Sequence, residues 1–192
     1  MLRGPALFDA IAAVPATDRE RWVDELLGIE ELPADEPLPR GAVPYLPCGV
    51  DDIVTAVREL PLREHDAFVD LGSGLGRVAI LAHLLSGART HGIEIQGTLV
   101  ASARRRAAAL GLDRVTFEQA DAREAALDGS AFFLYAPFNG EMLAAVLGRL
   151  EALARTRNFA LVTVGMDLRV PWLVSRPSSS VALTIHDLRQ LP

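Results

Sequence analysis

The run Phe68-Val69-Asp70-Leu71-Gly72-Ser73-Gly74-Leu75-Gly76-Arg77 holds the residues whose types and spacing are best suited to chemistry. An apolar segment delivers the chain into a glycine turn, and a helical pattern starts at once afterwards. Glycines in such a turn mark places where backbone must approach a ligand that side chains would obstruct. A tight strand-to-helix turn alone would use glycine too, so the surrounding acids matter. Asp70 closes the first apolar run. Glu94 closes the next, eighteen residues beyond Gly76, and Asp121 ends a third. An ionised carboxylate offers two acceptor oxygens, and acids at successive strand ends share the edge where open α/β sheets bind ligands. Asp121 could equally cap a following helix.

The elements that would position these residues alternate. Strands are expected at Ala67 to Leu71, Thr90 to Ile95, Val115 to Gln119, Ala131 to Ala136 and Phe159 to Gly165. Helices are expected between them, at Arg77 to Ser86, Thr98 to Leu110 (with Gly111 closing it), Ala122 to Leu127 and Gly140 to Arg155. Such alternation predicts a mostly parallel sheet covered on both faces, a three-layer Rossmann-like α/β sandwich. Only 14 residues separate Gly165 from Ser180, too few for another helical crossover. Trp172 to Arg176 and Val181 to Leu188 therefore read as an antiparallel C-terminal edge hairpin. Ahead of the sheet come helical patterns at Pro5 to Val14, at Thr17 to Leu27 with Thr17 as N-cap, and at Val50 to Leu60. An extended Pro-rich linker from Glu30 to Pro47 interrupts them. The expected division is an N-terminal helical extension and linker, 1–47, and a ligand-binding domain, 48–192.

Composition narrows the function. The chain has 192 residues, half of them hydrophobic, and a net charge of −6, which argues against general affinity for nucleic-acid backbones. All 19 basic residues are Arg. Cys48 is the only cysteine, so an intrachain disulfide and a multi-cysteine metal site are both excluded. The apolar runs are shorter than a bilayer span or signal peptide, and a cytoplasmic location is expected.

A dinucleotide loop, G-x-G-x-x-G, would need glycine at position 77, where Arg77 stands; this disfavours a nicotinamide-dependent oxidoreductase. The observed Asp70-x-Gly72-x-Gly74-x-Gly76 resembles motif I of the class I S-adenosylmethionine-dependent methyltransferases, and the resemblance spans roughly Tyr45 to Gly165. It implies S-adenosyl-L-methionine as cofactor and S-adenosyl-L-homocysteine as product. In that family the loop, here Leu71, Gly72, Ser73, Gly74 and Gly76, wraps the methionine and ribose portions. Asp70 would lie near the cationic end, Glu94 at the ribose hydroxyls and Asp121 with Ala122 at the adenine amino group, and Ile95 would also contact the cofactor. Pro44-Tyr45-Leu46-Pro47 ahead of the loop is similar to the element in non-SET lysine methyltransferases and their bacterial relatives, where the tyrosine closes over the methionine end. This implies Tyr45 as a lid residue.

The run Tyr135-Ala136-Pro137-Phe138-Asn139 lies where class I enzymes face the transferred methyl. Amino-group methyltransferases often carry Asp or Asn, Pro-Pro and an aromatic residue there; here Ala136 replaces the polar residue and one proline remains. Tyr135 and Asn139 are the candidates to orient a nucleophile, with Tyr135 also facing the cofactor and Pro137 and Phe138 contacting the acceptor. Packing is the competing role for Tyr135 and Phe138. His65, His83 and His91 read as structural, His186 stays open, and Arg104 to Arg106 read as a solvated helix face. The expected partner is a methyl acceptor, a protein or a small molecule, at an amino or other nucleophilic group. The alternative is a catalytically silent cofactor-binding subunit.

Overall fold

A computed structural model of the chain describes residues 1–29, 33 and 36–189. Part of the expected linker, at 30–32 and 34–35, lies outside the described residues. The N-terminal segment forms helix α1 (Gly4–Ala13), a 3-10 turn (Ala16–Asp18), helix α2 (Arg19–Leu27) and, after a long strap, helix α3 (Val50–Glu59). Then follow β1 (Ala67–Leu71), α4 (Arg77–Ser86), β2 (Arg89–Glu94), α5 (Gly97–Ala109), β3 (Val115–Gln119) and β4 (Ala131–Tyr135). The chain finishes with α6 (Gly140–Ala154), β5 (Ala160–Val164), β6 (Leu173–Pro177) and β7 (Leu183–Leu188).

The seven described strands make one sheet in the order β3-β2-β1-β4-β5-β7-β6. The first five are parallel, and β7 and β6 are antiparallel. The expected terminal hairpin is present, with its second strand inserted against β5 and its first left on the edge. Strand order reverses direction between β1 and β4, so the loops leaving those two strands diverge and open a crevice at the sheet's carboxyl edge.

Helix α4 explains the N-terminal helices. Its sequence is apolar nearly all round, and every residue from Arg77 to Leu85 is buried. The sheet covers one side; α1 and α3 cover the rest. Leu7, Ile11, Val23 and Leu27 thereby join Ile80, Leu81 and Leu84 in one core cluster. Each fully buried side chain of this size contributes about 1.5–3 kcal/mol. The opposite face of the sheet is closed by Met142, Val146 and Leu150 of α6 with Phe132, Phe159 and Trp172.

Three local expectations need correction. Thr17 does not begin a helix: the 3-10 turn intervenes, α2 starts at Arg19, and Glu20 accepts the Val50 N–H at 2.7 Å instead of completing a capping box. Residues 122–127 make a single turn, with Glu124 and Ala125 N–H both reaching the Asp121 carbonyl, because the chain must extend again for Ser130 N–H to reach the Ala67 carbonyl at 2.7 Å. The arginine run on α5 is not merely solvated. Arg104 donates twice to the Phe117 carbonyl (2.9 and 2.7 Å) and Arg106 donates to the Gly28 carbonyl (3.1 Å).

Candidate functional site

The glycine loop leaves β1 and is held from β2. Gly72 and Ser73 N–H donate to the Ile93 carbonyl at 2.8 and 3.1 Å. Gly74 N–H donates to Glu94 Oε2, and Gln96 N–H to Glu94 Oε1, both at 2.9 Å. Glu94 thus shapes the loop with one lone pair of each oxygen and keeps others for a ligand. Gly72 and Gly74 have φ of +84° and +51°, and a Cβ on them would overlap the Pro137 ring and the Tyr45 ring. Both are required by backbone conformation and by close approach. Gly76 has its own close neighbour, Phe117, and serves as N-cap of α4.

Above the loop lies a pocket of about 290 Å³. Gly72, Glu94, Ile95, Ala120 and Ala122 form its sheet side, and Tyr135, Ala136, Pro137, Phe138 and Met142 its far wall. The roof is the strap: Leu38 and Ala42 to Leu46. Three anchors hold that strap down. Glu36 accepts Thr98 N–H (2.7 Å) and Gly97 N–H (3.3 Å) at the start of α5, and its own N–H donates to Gln96 Oε1 (3.0 Å). Those helix-terminal N–H groups, Thr98's first, hold the Glu36 carboxyl below its usual range. Val43 N–H donates to the Pro137 carbonyl (3.0 Å) and Asn139 N–H to the Gly41 carbonyl (2.8 Å). At the strap's end, Cys48 gives its carbonyl to Arg77 at 3.0 Å.

A small cavity of about 20 Å³ shares Tyr45, Gly72 and Tyr135 with the main pocket and is completed by Asp70, Ser73, Cys48 and Arg77. Asp70 is 2% exposed, and its Oδ2 has no hydrogen-bond partner among the described residues; neither has Ser73 Oγ. Burial, with the Glu94 charge adding to it, pushes the Asp70 carboxyl up to about 8. Burial also pushes the Tyr45 phenol up to about 12 and raises Tyr135 and Cys48. A buried carboxylate oxygen without a partner, facing a cavity, calls for a cationic donor.

The structure therefore gathers Tyr45, Gly72, Glu94, Ile95, Ala122, Tyr135, Pro137 and Phe138 around one pocket, with Asp70 and Ser73 beside it. Leu71, Gly74 and Gly76 shape the loop without lining the pocket. Asp121 does not line it either. Its carboxylate is taken by Arg123, which donates from the backbone (2.8 Å) and the side chain (3.0 and 2.5 Å), and this pairing lowers the Asp121 carboxyl. Asn139 is exposed at the N-cap of α6, and its backbone rather than its side chain is engaged. His186 is settled as structural: fully buried, its ring joins Thr163 Oγ1 (3.0 Å) and Ser175 Oγ (2.9 Å). Sequence reasoning missed Glu36, Gln96, Leu38 and Met142 as parts of the site, and missed that Arg77 is buried. The proline-rich composition of the strap was the one available signal for a segment that stays extended.

Residues 62–132 match the family model described as a methyltransferase domain, a span running from just before β1 into β4. An RNA methyltransferase from Salinibacter ruber, solved with S-adenosyl-L-homocysteine, shares 25% identity and a TM-score of 0.60, over 77% of this chain and 97% of that one. A SAM-dependent methyltransferase from Aquifex aeolicus (18%, TM-score 0.56, 72% and 90% covered) and YjhP from E. coli (23%, 0.51, 65% and 51%) share the fold. This chain spans about half of the E. coli protein. Among curated proteins none matches. The chain thus has the seven-strand Rossmann-like fold of methyltransferases, with the matched domain built around the glycine loop and its acids.

Proposed function

We propose that the pocket between the strap and the sheet takes S-adenosylmethionine, and that its methyl passes to an amino or other nucleophilic group of a protein or small-molecule acceptor. The chain is an S-adenosylmethionine-dependent methyltransferase. The observation that carries the reading is the partnerless, buried Asp70 Oδ2 beside the glycine loop, with Glu94 at the end of the neighbouring strand. Asp70 and Ser73 hold the ligand's ammonium end, Glu94 its ribose hydroxyls, and Ile95 and Ala122 its adenine, which Asp121 reaches by giving up Arg123. Leu71, Gly74 and Gly76 set the loop's curvature, and Tyr45 closes over the methionine end. Residues 48–192 are the binding domain in this reading, and 1–47 the helical extension with the strap that roofs it.

Once bound, the cofactor supplies an electrophilic methyl on a sulfonium, so the protein needs only to align a nucleophile, exclude water and let a proton leave. Tyr135, and Asn139 once its solvent-facing side chain turns in over the pocket edge, orient the nucleophile, and Pro137 and Phe138 pack against the acceptor. Among the described residues Glu94 is the only charged one lining the main pocket, and Arg77 in the adjoining cavity is neutralised by Glu20 and Asp24. The Salinibacter neighbour acts on RNA, but a lining without a free cation among the described residues and a chain of net charge −6 favour an amine over a phosphate-bearing acceptor. Among the described residues no helix is long and apolar enough to cross a membrane. We place the protein in the cytoplasm, a reading supported by the lone cysteine.

A second reading, a silent cofactor-binding subunit, draws on Ala136, a methyl side chain at a position where amino-group methyltransferases carry a polar one. Calorimetry with S-adenosylhomocysteine tests the binding claim, and release of that product from S-adenosylmethionine with candidate amines tests turnover. A folded protein giving no heat with the nucleoside sinks both readings; binding with no turnover on any acceptor leaves the second.

A further inference from the structure

Arg77 and Asp70 line the same small cavity, yet they are not paired. A guanidinium lining the same cavity as a buried carboxyl oxygen without a partner, Asp70 Oδ2, is that oxygen's natural partner. What the guanidinium does instead is recorded in four hydrogen bonds. Nε and Nη2 donate to Asp24 Oδ1 at 3.0 and 2.5 Å, and Nη1 donates to Glu20 Oε2 and, at 3.0 Å, to the Cys48 carbonyl. Both carboxylates come from α2, and Glu20 is itself fixed by the Val50 N–H at the start of α3. Two acids around one arginine leave that ion-pair cluster net negative, so the guanidinium carries no charge to spare.

We infer that Glu20 and Asp24 hold Arg77 away from Asp70, keeping Asp70 open for the ammonium group of the bound cofactor. Helix α2 is thus a positioning element for the cofactor's amino-acid end, acting by sequestering an internal competitor. The inference rests on the proposed cofactor reading and goes one step past it. Without the two α2 carboxylates, Arg77 turns to Asp70 and occupies the cation's place.

The test is calorimetry with two probes, S-adenosylhomocysteine, which has the ammonium end, and 5′-methylthioadenosine, which lacks it. In the Glu20→Gln/Asp24→Asn protein, S-adenosylhomocysteine affinity is expected to fall about tenfold or more, while methylthioadenosine stays within roughly twofold. Adding Arg77→Met to that protein is expected to recover most of the lost affinity, since the competitor is gone. A purely structural role for the cluster predicts the opposite: both probes weaken together and Arg77→Met recovers nothing. Either of those results overturns the inference. If the double variant gives no cooperative melt, Asp24→Asn alone must show a smaller, probe-selective loss that Arg77→Met reverses; unchanged S-adenosylhomocysteine affinity there overturns the inference as well. Wild-type protein that binds neither probe refutes the cofactor reading itself, an outcome distinct from both.

Discussion

The ring of Tyr45 lies flush on the backbone of Gly74, so that a Cβ at position 74 would fall among the ring carbons. The strap and the glycine loop are therefore fitted to each other before any ligand is considered. Gly74→Ala combines a positive φ with that overlap and is expected to cost about 1–2 kcal/mol from backbone conformation alone, with further loss from displacing the ring. Urea unfolding of Gly74→Ala, Tyr45→Ala and the double variant checks this. The ring term is expected to vanish in the double variant, giving a coupling of about 0.5–3 kcal/mol.

Asp70 makes the ligand-free protein sensitive to alkali. Its carboxyl titrates near 8 when folded and near the ordinary 3.8 when unfolded. Between those values the native state holds a proton that the unfolded chain has released, so this group's contribution falls as pH rises through the window and stays low above about 8. Melting curves from pH 5 to 9 should show Asp70→Asn gaining on wild type as pH rises, while S-adenosylhomocysteine binding is lost. A cationic ligand also draws the Asp70 carboxyl back down, so binding at pH 7 is expected to release a proton, visible as a binding heat that depends on the buffer's ionisation enthalpy.

His186 should act in the acid range. Thr163 donates to the Met166 carbonyl (3.2 Å) and so accepts from Nε2–H of His186, while Nδ1 accepts from Ser175. This chain of bonds uses the neutral ring, and burial lowers its titration below the ordinary 6.5. As pH falls below about 6.5 the unfolded chain takes up the proton first; stability is full above that value and declines down to the lowered folded titration point. His83, buried beside the Ala88 carbonyl, adds a contribution of the same sign. His186→Asn is therefore expected to flatten only part of the slope of melting temperature against pH between 7 and 5.

Ala136 is the non-glycine residue with positive φ among those described, +41°, and it lies at the end of β4 on the pocket wall. Strain at such a position clusters at functional sites. Ala136→Gly is expected to stabilise the protein by about 1 kcal/mol and Ala136→Val to destabilise it by more, both read from denaturant midpoints.

Tyr135→Phe and Asn139→Ala test the reacting edge. With a true acceptor, each is expected to lower kcat roughly tenfold or more while leaving S-adenosylhomocysteine affinity nearly unchanged. Full turnover in both would remove them from the mechanism.

The sequence by itself determined the strand-helix alternation, the glycine loop and the acids at the strand ends, because hydrophobic period and turn chemistry are local properties. Asp70 and Glu94 were legible in this way: a strand-end acid followed by glycines needs no distant partner to be recognised. Only the tertiary structure decided what the rest of the chain does around them. Arg77 reads locally as a helix start, and its burial depends on Glu20 and Asp24, more than fifty residues away. A proline-rich stretch is known to be extended from composition, but where Glu36, Val43 and Tyr45 fasten it follows from the backbone groups that α5, the β4 loop and Gly74 leave exposed. Asp121 and Asn139 mark the same boundary. Their positions are set by the strands they follow, whereas the direction of each side chain is set by local partners, Arg123 for one and solvent for the other, that spacing along the chain does not encode.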